Sequence, residues 1–245
     1  MKTEIVAEIG SNWEGSLTKA FDLIKKCKDA GADGVKFQLW RATDLYDKSH
    51  PSWSVIKKSE LKFEQAKKMK QYADKQNIDF FCSAFYPEAI DFLESINVKK
   101  YKIASRTCLF SDPYSLETLN KKASTKKPII ISMGMGGNKK KVFKIFSKNK
   151  ILSCYCISDY PLDIKKIKWN DAIKYDGFSD HTMGITAPII FATLKRFRNA
   201  KKIYIEKHVK LKNSKGPDAE TSIDTDQLKE LVKHTRLIER LTKVK

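Results

Sequence analysis

Residues 4–40 read EIVAEIGSNWEGSLTKAFDLIKKCKDAGADGVKFQLW and contain the first repeat of a strand–helix pattern. The runs at 4–10 and 34–40 are rich in Ile, Val and Phe, as β-strands tend to be. Between them apolar residues recur at helical spacing, with Ser16 as a candidate N-cap and Gly31 as a helix stop. A strand, a helix and a second strand in this order predict parallel strands joined by a helical crossover.

The same unit recurs along the chain. Six further strand-like runs follow at fairly even intervals, at 79–85, 99–105, 128–134, 151–158, 177–182 and 202–209. Eight strand–helix repeats in a chain of this length favour an α/β fold of the (β/α)8 TIM-barrel type, formed as a single domain over residues 1–245. The alternative is a doubly wound open sheet. The fifth and sixth helices, within 138–150 and 163–175, are predicted to be short.

The formal net charge of +19 raises the question of nucleic-acid binding. Only six of the 48 basic residues are arginine, the side chain expected for base reading and bidentate phosphate contacts. The lysines are spread over nearly every predicted helix, with no basic arm. We therefore expect a solvated lysine surface and no nucleic-acid partner, with a positive field that helps to gather small anionic substrates.

The sequence also predicts a cytoplasmic location without membrane contact. The N-terminal residues do not resemble a signal peptide, and no apolar run approaches the roughly 18 residues of a membrane span. The five cysteines form no CxxC pair, and Cys154 and Cys156 are predicted to share one face of a strand. These features predict reduced core cysteines rather than a disulfide framework or a cysteine metal site.

Polar residues lie at the ends of successive predicted strands. In a barrel these ends form the C-terminal rim, where active sites lie, and burying polar groups without partners is costly. The candidates are Glu8, Lys36, Gln38, Ser83, Lys102, Ser105, Ser132, Ser158, Tyr160, Ser179, Asp180, His181, Glu206 and His208.

These residue types suggest two binding sites at the rim. Lysines and serine hydroxyls suit a phosphate or carboxylate, and His181 and His208 on neighbouring strands suit an open divalent metal site. Strand alternation places Glu206 on the face of His208, with Lys207 on the opposite face. Taken singly, each candidate also has a structural interpretation, such as a hydrogen-bonded core histidine or a packing serine. His50 and His234 are interpreted as loop or surface residues.

The chain resembles the sialic acid synthases, which condense phosphoenolpyruvate with an N-acetylmannosamine-type sugar to give a nonulosonic acid and phosphate. The resemblance rests on AEIGSNWEGS, GADGVKFQ, YKIAS, IIISMGM, CISDYP, GFSDHTMGI, IEKHV and KGPDAETSI, which cover almost the whole chain in order. It implies a metal-dependent transferase of carbohydrate biosynthesis in which a metal polarises the sugar aldehyde. The enol carbon of phosphoenolpyruvate attacks that aldehyde, water adds, and phosphate leaves by C–O cleavage.

The resemblance also implies roles for individual residues. The metal, usually Mn²⁺ with Mg²⁺ or Co²⁺ as alternatives, is expected at His181 and His208, and Glu8 is the carboxylate near the reacting centre. Ser83 is a further candidate substrate contact at its strand end. Phosphoenolpyruvate contacts are expected from Lys36, Lys102, Ser105, Ser132, Ser158 and Ser179, and sugar contacts from Gln38, Tyr160 and Asp218.

The sequence departs from the family pattern in three places. Trp13 stands where a histidine is common, and Ala84 replaces a threonine that contacts phosphoenolpyruvate. The sequence ends at Lys245, so we expect a barrel without the usual antifreeze-like domain, in a homodimer or with that domain as a separate chain.

Two alternatives stay open: another phosphoenolpyruvate-using or aldolase-type metal barrel, and an inactive barrel that serves as a binding partner. The sequence does not determine the acceptor sugar: N-acetylmannosamine and the diacetamido-trideoxyhexoses that lead to legionaminic or pseudaminic acid stay open.

Overall fold

The computed structural model describes residues 2–241. Eight parallel strands alternate with helices, and a short ninth strand precedes the last helix. The strands are β1 (Glu4–Glu8), β2 (Gly34–Leu39), β3 (Asp79–Ala84), β4 (Tyr101–Ile103), β5 (Ile129–Ser132), β6 (Ile151–Tyr155), β7 (Gly177–Asp180), β8 (Tyr204–Lys210) and β9 (Ile223–Asp224). The helices are α1 (Leu17–Asp29), α2 (Ala42–Leu45), α3 (Trp53–Lys58), α4 (Phe63–Lys75), α5 (Pro87–Ser95), α6 (Ser115–Ser124), α7 (Lys139–Ile145), α8 (Trp169–Ala172), α9 (Thr186–Phe197) and α10 (Thr225–Leu241).

The eight strands close into a barrel in sequence order. Each strand pairs in parallel with the next, and β8 pairs with β1 to complete the ring. This closure confirms the predicted (β/α)8 TIM barrel and excludes the doubly wound sheet, which has two free edges. The predicted strands are all present, and most end earlier than predicted because the chain leaves the hydrogen-bonded ladder to form the rim loops.

The helices form where the apolar periodicity indicates, and local signals set their ends. The Ser16 side chain accepts a hydrogen bond from the Lys19 N–H at 3.3 Å, and Gly31 takes the left-handed conformation that ends α1, with φ of 88°. The fifth and sixth repeats carry the short helices α7 and α8, as predicted. Strand β6, which they cover, is the most exposed of the barrel strands. Over residues 2–241, no helix is long and apolar enough to cross a membrane.

A plug of large side chains fills the lower half of the barrel. It consists of Val6, Phe81, Ile130, Cys154 and Tyr204, which lie on the inner face of alternate or neighbouring strands and are buried. A larger apolar core packs between the sheet and the surrounding helices. The plug is therefore an apolar layer inside the barrel, and the polar residues at the strand ends lie directly above it.

Gly177 makes room for this plug, and we predict that Gly177→Ala destabilises the barrel. A Cβ at this position would lie 2.9 Å from both the Cys154 Sγ and the Tyr204 ring, closer than side chains pack. We expect the free energy of unfolding to fall by about 1–3 kcal/mol, the cost of overpacking a core. Urea unfolding measures this change. Gly34→Ala is the control in the same layer: its nearest contact would be 3.3 Å, so an equal or larger loss there would contradict the explanation.

Candidate active site

The C-terminal ends of the strands bring the predicted polar residues to one end of the barrel. Strand register places Glu8 beside Lys36 on one side and His208 on the other, and Ser179 beside Glu206. Most of these side chains are buried although they are polar or charged. The buried members are Glu8, Lys36, Ser83, Lys102, Ser105, Ser132, Ser179, His181, Glu206 and His208.

Two lysines and two glutamates form a charged cluster at the base of the site. Lys36 forms an ion pair with Glu8, donates to the Ser83 hydroxyl at 3.2 Å and lies 3.7 Å from Glu206. Lys102 pairs with Glu206 at 2.8 Å. Lys36 does not reach solvent, because only 3% of its side chain is exposed.

Glu206 connects this cluster, although the sequence suggested no role for it beyond a strand-end position. Its carboxylate accepts hydrogen bonds from Ser179 at 3.0 Å and Tyr204 at 2.8 Å as well as from Lys102. Burial alone would raise the pKa of Glu206, but Lys102 and Lys36 hold it far below its usual range. The same pairing outweighs burial at Lys102 and raises its pKa. Glu206 therefore stays ionised and fixes both lysines in place.

The pKa of Glu8 is shifted in the opposite direction to that of Glu206. The Gln38 side-chain amide donates to the Glu8 carboxylate at 2.7 Å. The Glu8 carboxylate also forms the ion pair with Lys36. Burial, opposed by Lys36 and assisted by the negative charge of Glu206, raises the pKa of Glu8 to about 7. A carboxyl group with this pKa can both accept and release a proton near neutral pH.

An arc of serine hydroxyls faces the charged cluster. Within residues 2–241, the buried hydroxyl oxygens of Ser132 and Ser158 have no hydrogen-bond partner. Ser105 accepts the backbone N–H of Gly134 at 2.8 Å, and a Cβ on Gly134 would lie 2.7 Å from the Ser158 hydroxyl. Buried polar groups are rarely left unpaired in proteins. The two free hydroxyls therefore point to a ligand rich in acceptor atoms.

His181 and His208 lie side by side above the cluster, with ring centroids 5.4 Å apart. The Nδ1 atom of His181 faces the Ile157 carbonyl at 2.7 Å, so it carries the hydrogen and leaves Nε2 with a free lone pair. Burial lowers the pKa of His208 to about 3 and keeps it neutral, and its Nδ1 atom has no partner in the described part of the chain. Two imidazoles with unused nitrogens, of which that of His208 is neutral, fit a divalent cation.

The protein supplies only part of such a metal site. Among residues 2–241, no group of three or more His, Cys, Asp and Glu side chains is arranged to hold a metal. The Cys156 sulfur is 4.0 Å from His181 Nδ1, a weak contact. A cation held by the two histidines would take its other ligands from water or substrate, as open catalytic sites do.

The three residues predicted to contact the sugar, Gln38, Tyr160 and Asp218, lie around the mouth of the site. The Tyr160 ring is half exposed and packs on His181 with centroids 4.1 Å apart. Asp218, in the loop after β8, accepts the Ser11 hydroxyl at 2.7 Å. At Gly10, whose φ is 51°, a Cβ would lie within about 3.3 Å of Asp218, Glu8 and Gln38, so only glycine lets these side chains converge.

Other sequence candidates lie outside the site. Asp180 faces away from the barrel interior and pairs with Lys207 at 2.8 Å, both side chains being fully buried behind the strands. This confirms that Lys207 points away from His208 and shows that Asp180 is structural. His234 is on α10 near Glu230, and His50 is an exposed loop residue, as predicted. All five cysteines are free, and Cys27, Cys82, Cys108 and Cys154 are buried.

The geometry defines a class of protein: a barrel enzyme whose rim joins a buried cluster of lysines, carboxylates and hydroxyls to a pair of histidines. Comparison with known proteins then places the chain. The NeuB family profile matches residues 23–245, so the chain belongs to the NeuB family. This confirms the resemblance to the sialic acid synthases.

Three relatives illustrate the match. An uncharacterised protein of Methanocaldococcus jannaschii is 36% identical over 253 residues, covering 98% of this chain and 72% of that protein. The N,N′-diacetyllegionaminic acid synthase of Campylobacter jejuni is 32% identical and covers 98% of this chain and 77% of that enzyme. The crystal structure of a sialic acid synthetase from Leptospira borgpetersenii, in complex with citrate, superposes with a TM-score of 0.87 at 26% identity, over 98% of this chain and 85% of that one.

Proposed function

We propose that this protein condenses phosphoenolpyruvate with an N-acyl aminosugar to give a nonulosonic acid and phosphate. The observation that carries the proposal is the buried set of Lys36, Lys102 and two unpartnered serine hydroxyls beside the paired rings of His181 and His208. It joins a place for a phosphorylated carboxylate to a place for a Lewis acid. The family and the C. jejuni synthase support this reaction.

Lys36 and Lys102 hold the negative charge of phosphoenolpyruvate, and the hydroxyls of Ser132 and Ser158 donate to its oxygens. Ser105, Ser179 and Ser83 line the same pocket and complete its polar wall. The lysines stay fixed while the phosphate leaves because Glu8 and Glu206 hold them from below. A preorganised pocket of this kind stabilises the departing charge without rearranging.

A divalent cation, which we propose to be Mn²⁺, would be held by His181 and His208 and would supply Lewis-acid polarisation of the sugar aldehyde. Gln38, Tyr160 and Asp218 orient the sugar above the phosphoenolpyruvate pocket. Glu8 lies between these two positions and, as a carboxylate, accepts a proton from the water that adds to the enolpyruvyl carbon. The five free thiols, four of them buried, support a reducing cytoplasmic location.

Phosphate release tests the proposal directly. The purified protein is incubated with Mn²⁺, phosphoenolpyruvate and a panel of N-acyl aminosugars, and the nine-carbon product is identified by mass spectrometry. Phosphate release that requires an N-acyl aminosugar supports the proposal. Release with other aldehydes only would indicate a different phosphoenolpyruvate-using barrel, and no release with any acceptor would indicate an inactive barrel.

Lysine substitutions test the anion pocket separately. We predict that Lys36→Ala and Lys102→Ala each weaken phosphoenolpyruvate binding by about 1.5–3 kcal/mol, the scale of a charge-assisted hydrogen bond, or roughly ten- to hundredfold. Calorimetric titration with phosphoenolpyruvate measures this loss without relying on turnover.

Lys100→Ala is the matched control. Lys100 is also a largely buried barrel lysine paired with carboxylates, Glu4 and Asp79, but it lies at the opposite end of the barrel. Its replacement should lower stability and leave phosphoenolpyruvate affinity unchanged. Unchanged affinity in both pocket variants would place the anion elsewhere.

A further inference from the structure

A cavity of about 260 Å³ opens beside the candidate active site. It shares Gln38 and Asp218 with the site, and its remaining walls come from Ser11, the segment 40–59 and Pro217. The segment 40–59 contains α2 and α3, which lie between β2 and α4 as an addition to the simple repeat. The cavity therefore extends the proposed sugar position outward, away from the phosphoenolpyruvate pocket.

Aromatic rings form one wall of this cavity. Trp40 and Tyr46 meet edge to face with centroids 6.4 Å apart, and Tyr46 meets His50 in the same way at 5.5 Å. The indole N–H of Trp40 donates to the side-chain amide oxygen of Gln38 at 3.1 Å. This contact turns the NH₂ group of the same amide toward Glu8. The aromatic wall thus also orients a residue of the catalytic cluster.

His50 is one of the residues that line this cavity. Its Nδ1 atom accepts the backbone N–H of Ser52 at 3.1 Å. In the neutral imidazole this places the ring hydrogen on Nε2, which can donate to an acyl carbonyl oxygen. Ser52 and Ser59 line the same cavity, and Ile56 adds an apolar surface.

No lysine or arginine is among the described residues that line the cavity. The one carboxylate in that part of the lining is Asp218, which is negative. Arg106 lies behind the Tyr46 ring, but both oxygens of Asp112 accept from its guanidinium, which also donates to the Leu45 carbonyl at 2.7 Å. Lys57 and Lys62, near the end of the segment, are paired with Glu60. A phosphate monoester placed here would lose water and meet a carboxylate without compensation.

We propose that this cavity holds the distal end of the acceptor, and that Tyr46 and His50 select an unphosphorylated N-acyl aminosugar over a sugar 6-phosphate. The inference rests on the proposed function and specifies its acceptor. Aromatic faces pack on the C–H and methyl groups of acetamido and deoxy sugars, and the His50 donor meets an acyl oxygen. The same surroundings exclude a doubly charged terminus.

The test compares three acceptors at saturating phosphoenolpyruvate and Mn²⁺: N-acetylmannosamine, its 6-phosphate, and 2,4-diacetamido-2,4,6-trideoxymannose. We expect kcat/KM for the better neutral sugar to exceed that of the 6-phosphate by at least a hundredfold. Comparable or preferred use of the 6-phosphate would overturn the inference and leave the proposed function intact. No product with any of the three would overturn the proposed function and the inference with it.

Substitutions of Tyr46 and His50 test whether these two residues cause the preference for the unphosphorylated sugar. Tyr46→Ala and His50→Ala should each raise the KM of the neutral sugar about tenfold, with the KM of phosphoenolpyruvate unchanged as evidence that the barrel is folded. His50→Arg places a cation at the distal end and should improve the use of the 6-phosphate at least tenfold relative to the neutral sugar. An unchanged preference in His50→Arg, or an unchanged sugar KM in both alanine variants, would refute the assignment of these residues.

Discussion

Replacing His181 or His208 by alanine is expected to abolish condensation while the barrel stays folded. Both side chains stand on the rim above the apolar plug and are not part of it, so we expect the fold to survive their loss. Loss of one imidazole removes Lewis-acid stabilisation worth several kcal/mol, so turnover should fall by at least about a thousandfold. Phosphate release measures the rate, and Mn²⁺ titration followed by electron paramagnetic resonance measures metal affinity independently of turnover.

His234→Ala is the control for this experiment. His234 also lies near a carboxylate, that of Glu230, but its side chain is half exposed on α10. Its loss should change neither Mn²⁺ affinity nor turnover. Wild-type turnover in either rim variant after chelation and return of Mn²⁺ would show that the metal assignment is wrong. A rim variant with unchanged Mn²⁺ affinity would place the metal elsewhere.

The barrel was predictable because local signals repeat eight times. Each strand is a short run of β-branched and aromatic residues, and caps such as Ser16 and Gly31 mark the helix ends. Closure of the ring could not be read from any one repeat, since it depends on β1 and β8 meeting across the whole chain. The prediction that the sheet closes into a barrel rested on the number of repeats. The strand ends were placed too far along because a strand and the start of its rim loop have similar composition.

The convergence of the candidate residues at one end of the barrel was predictable, but their arrangement there only in part. A period of two identified the residues that face inward, and the positions of Lys36, Lys102, His181 and His208 follow from it. The partnership of Glu206 with both lysines could not be derived, because it joins side chains from β2, β4 and β8 through the closed ring. Asp180 was misplaced for a simple reason: it is adjacent to His181 but points to the other face of the strand.

The cavity proposed for the acceptor shows a different limit of sequence interpretation. His50 is an exposed loop residue, and nothing in its neighbourhood along the chain distinguishes it from a surface histidine. Its relation to the site appears only when the segment 40–59 folds back beside Gln38 and Asp218. Residues that set specificity commonly lie on such additions to a barrel, because loops vary while strands keep the catalytic groups in place.

Replacing Glu8 by glutamine should remove most of the activity without removing substrate binding. Glutamine keeps the size of the side chain and its contact with Gln38 but cannot accept a proton. Loss of general base catalysis costs about 10²- to 10⁴-fold in rate, so kcat should fall by that factor while the sugar KM changes little. In the wild type, protonation of Glu8 below its pKa of about 7 should make log kcat/KM fall with a slope near one toward acid pH.

The same substitution has a signature in stability that does not depend on turnover. Because burial raises the pKa of Glu8 from 4.5 to about 7, ionising this group costs more in the folded protein than in the unfolded chain. Its contribution to stability is therefore full below pH 4.5 and is lost as the pH rises through 7. Glu8→Gln removes that loss, so its stability relative to the wild type should increase between pH 4.5 and 7 in urea unfolding. Two parallel stability curves, or an acid limb that persists in the residual activity of the variant, would show that another group titrates near neutral pH and that Glu8 is not the base.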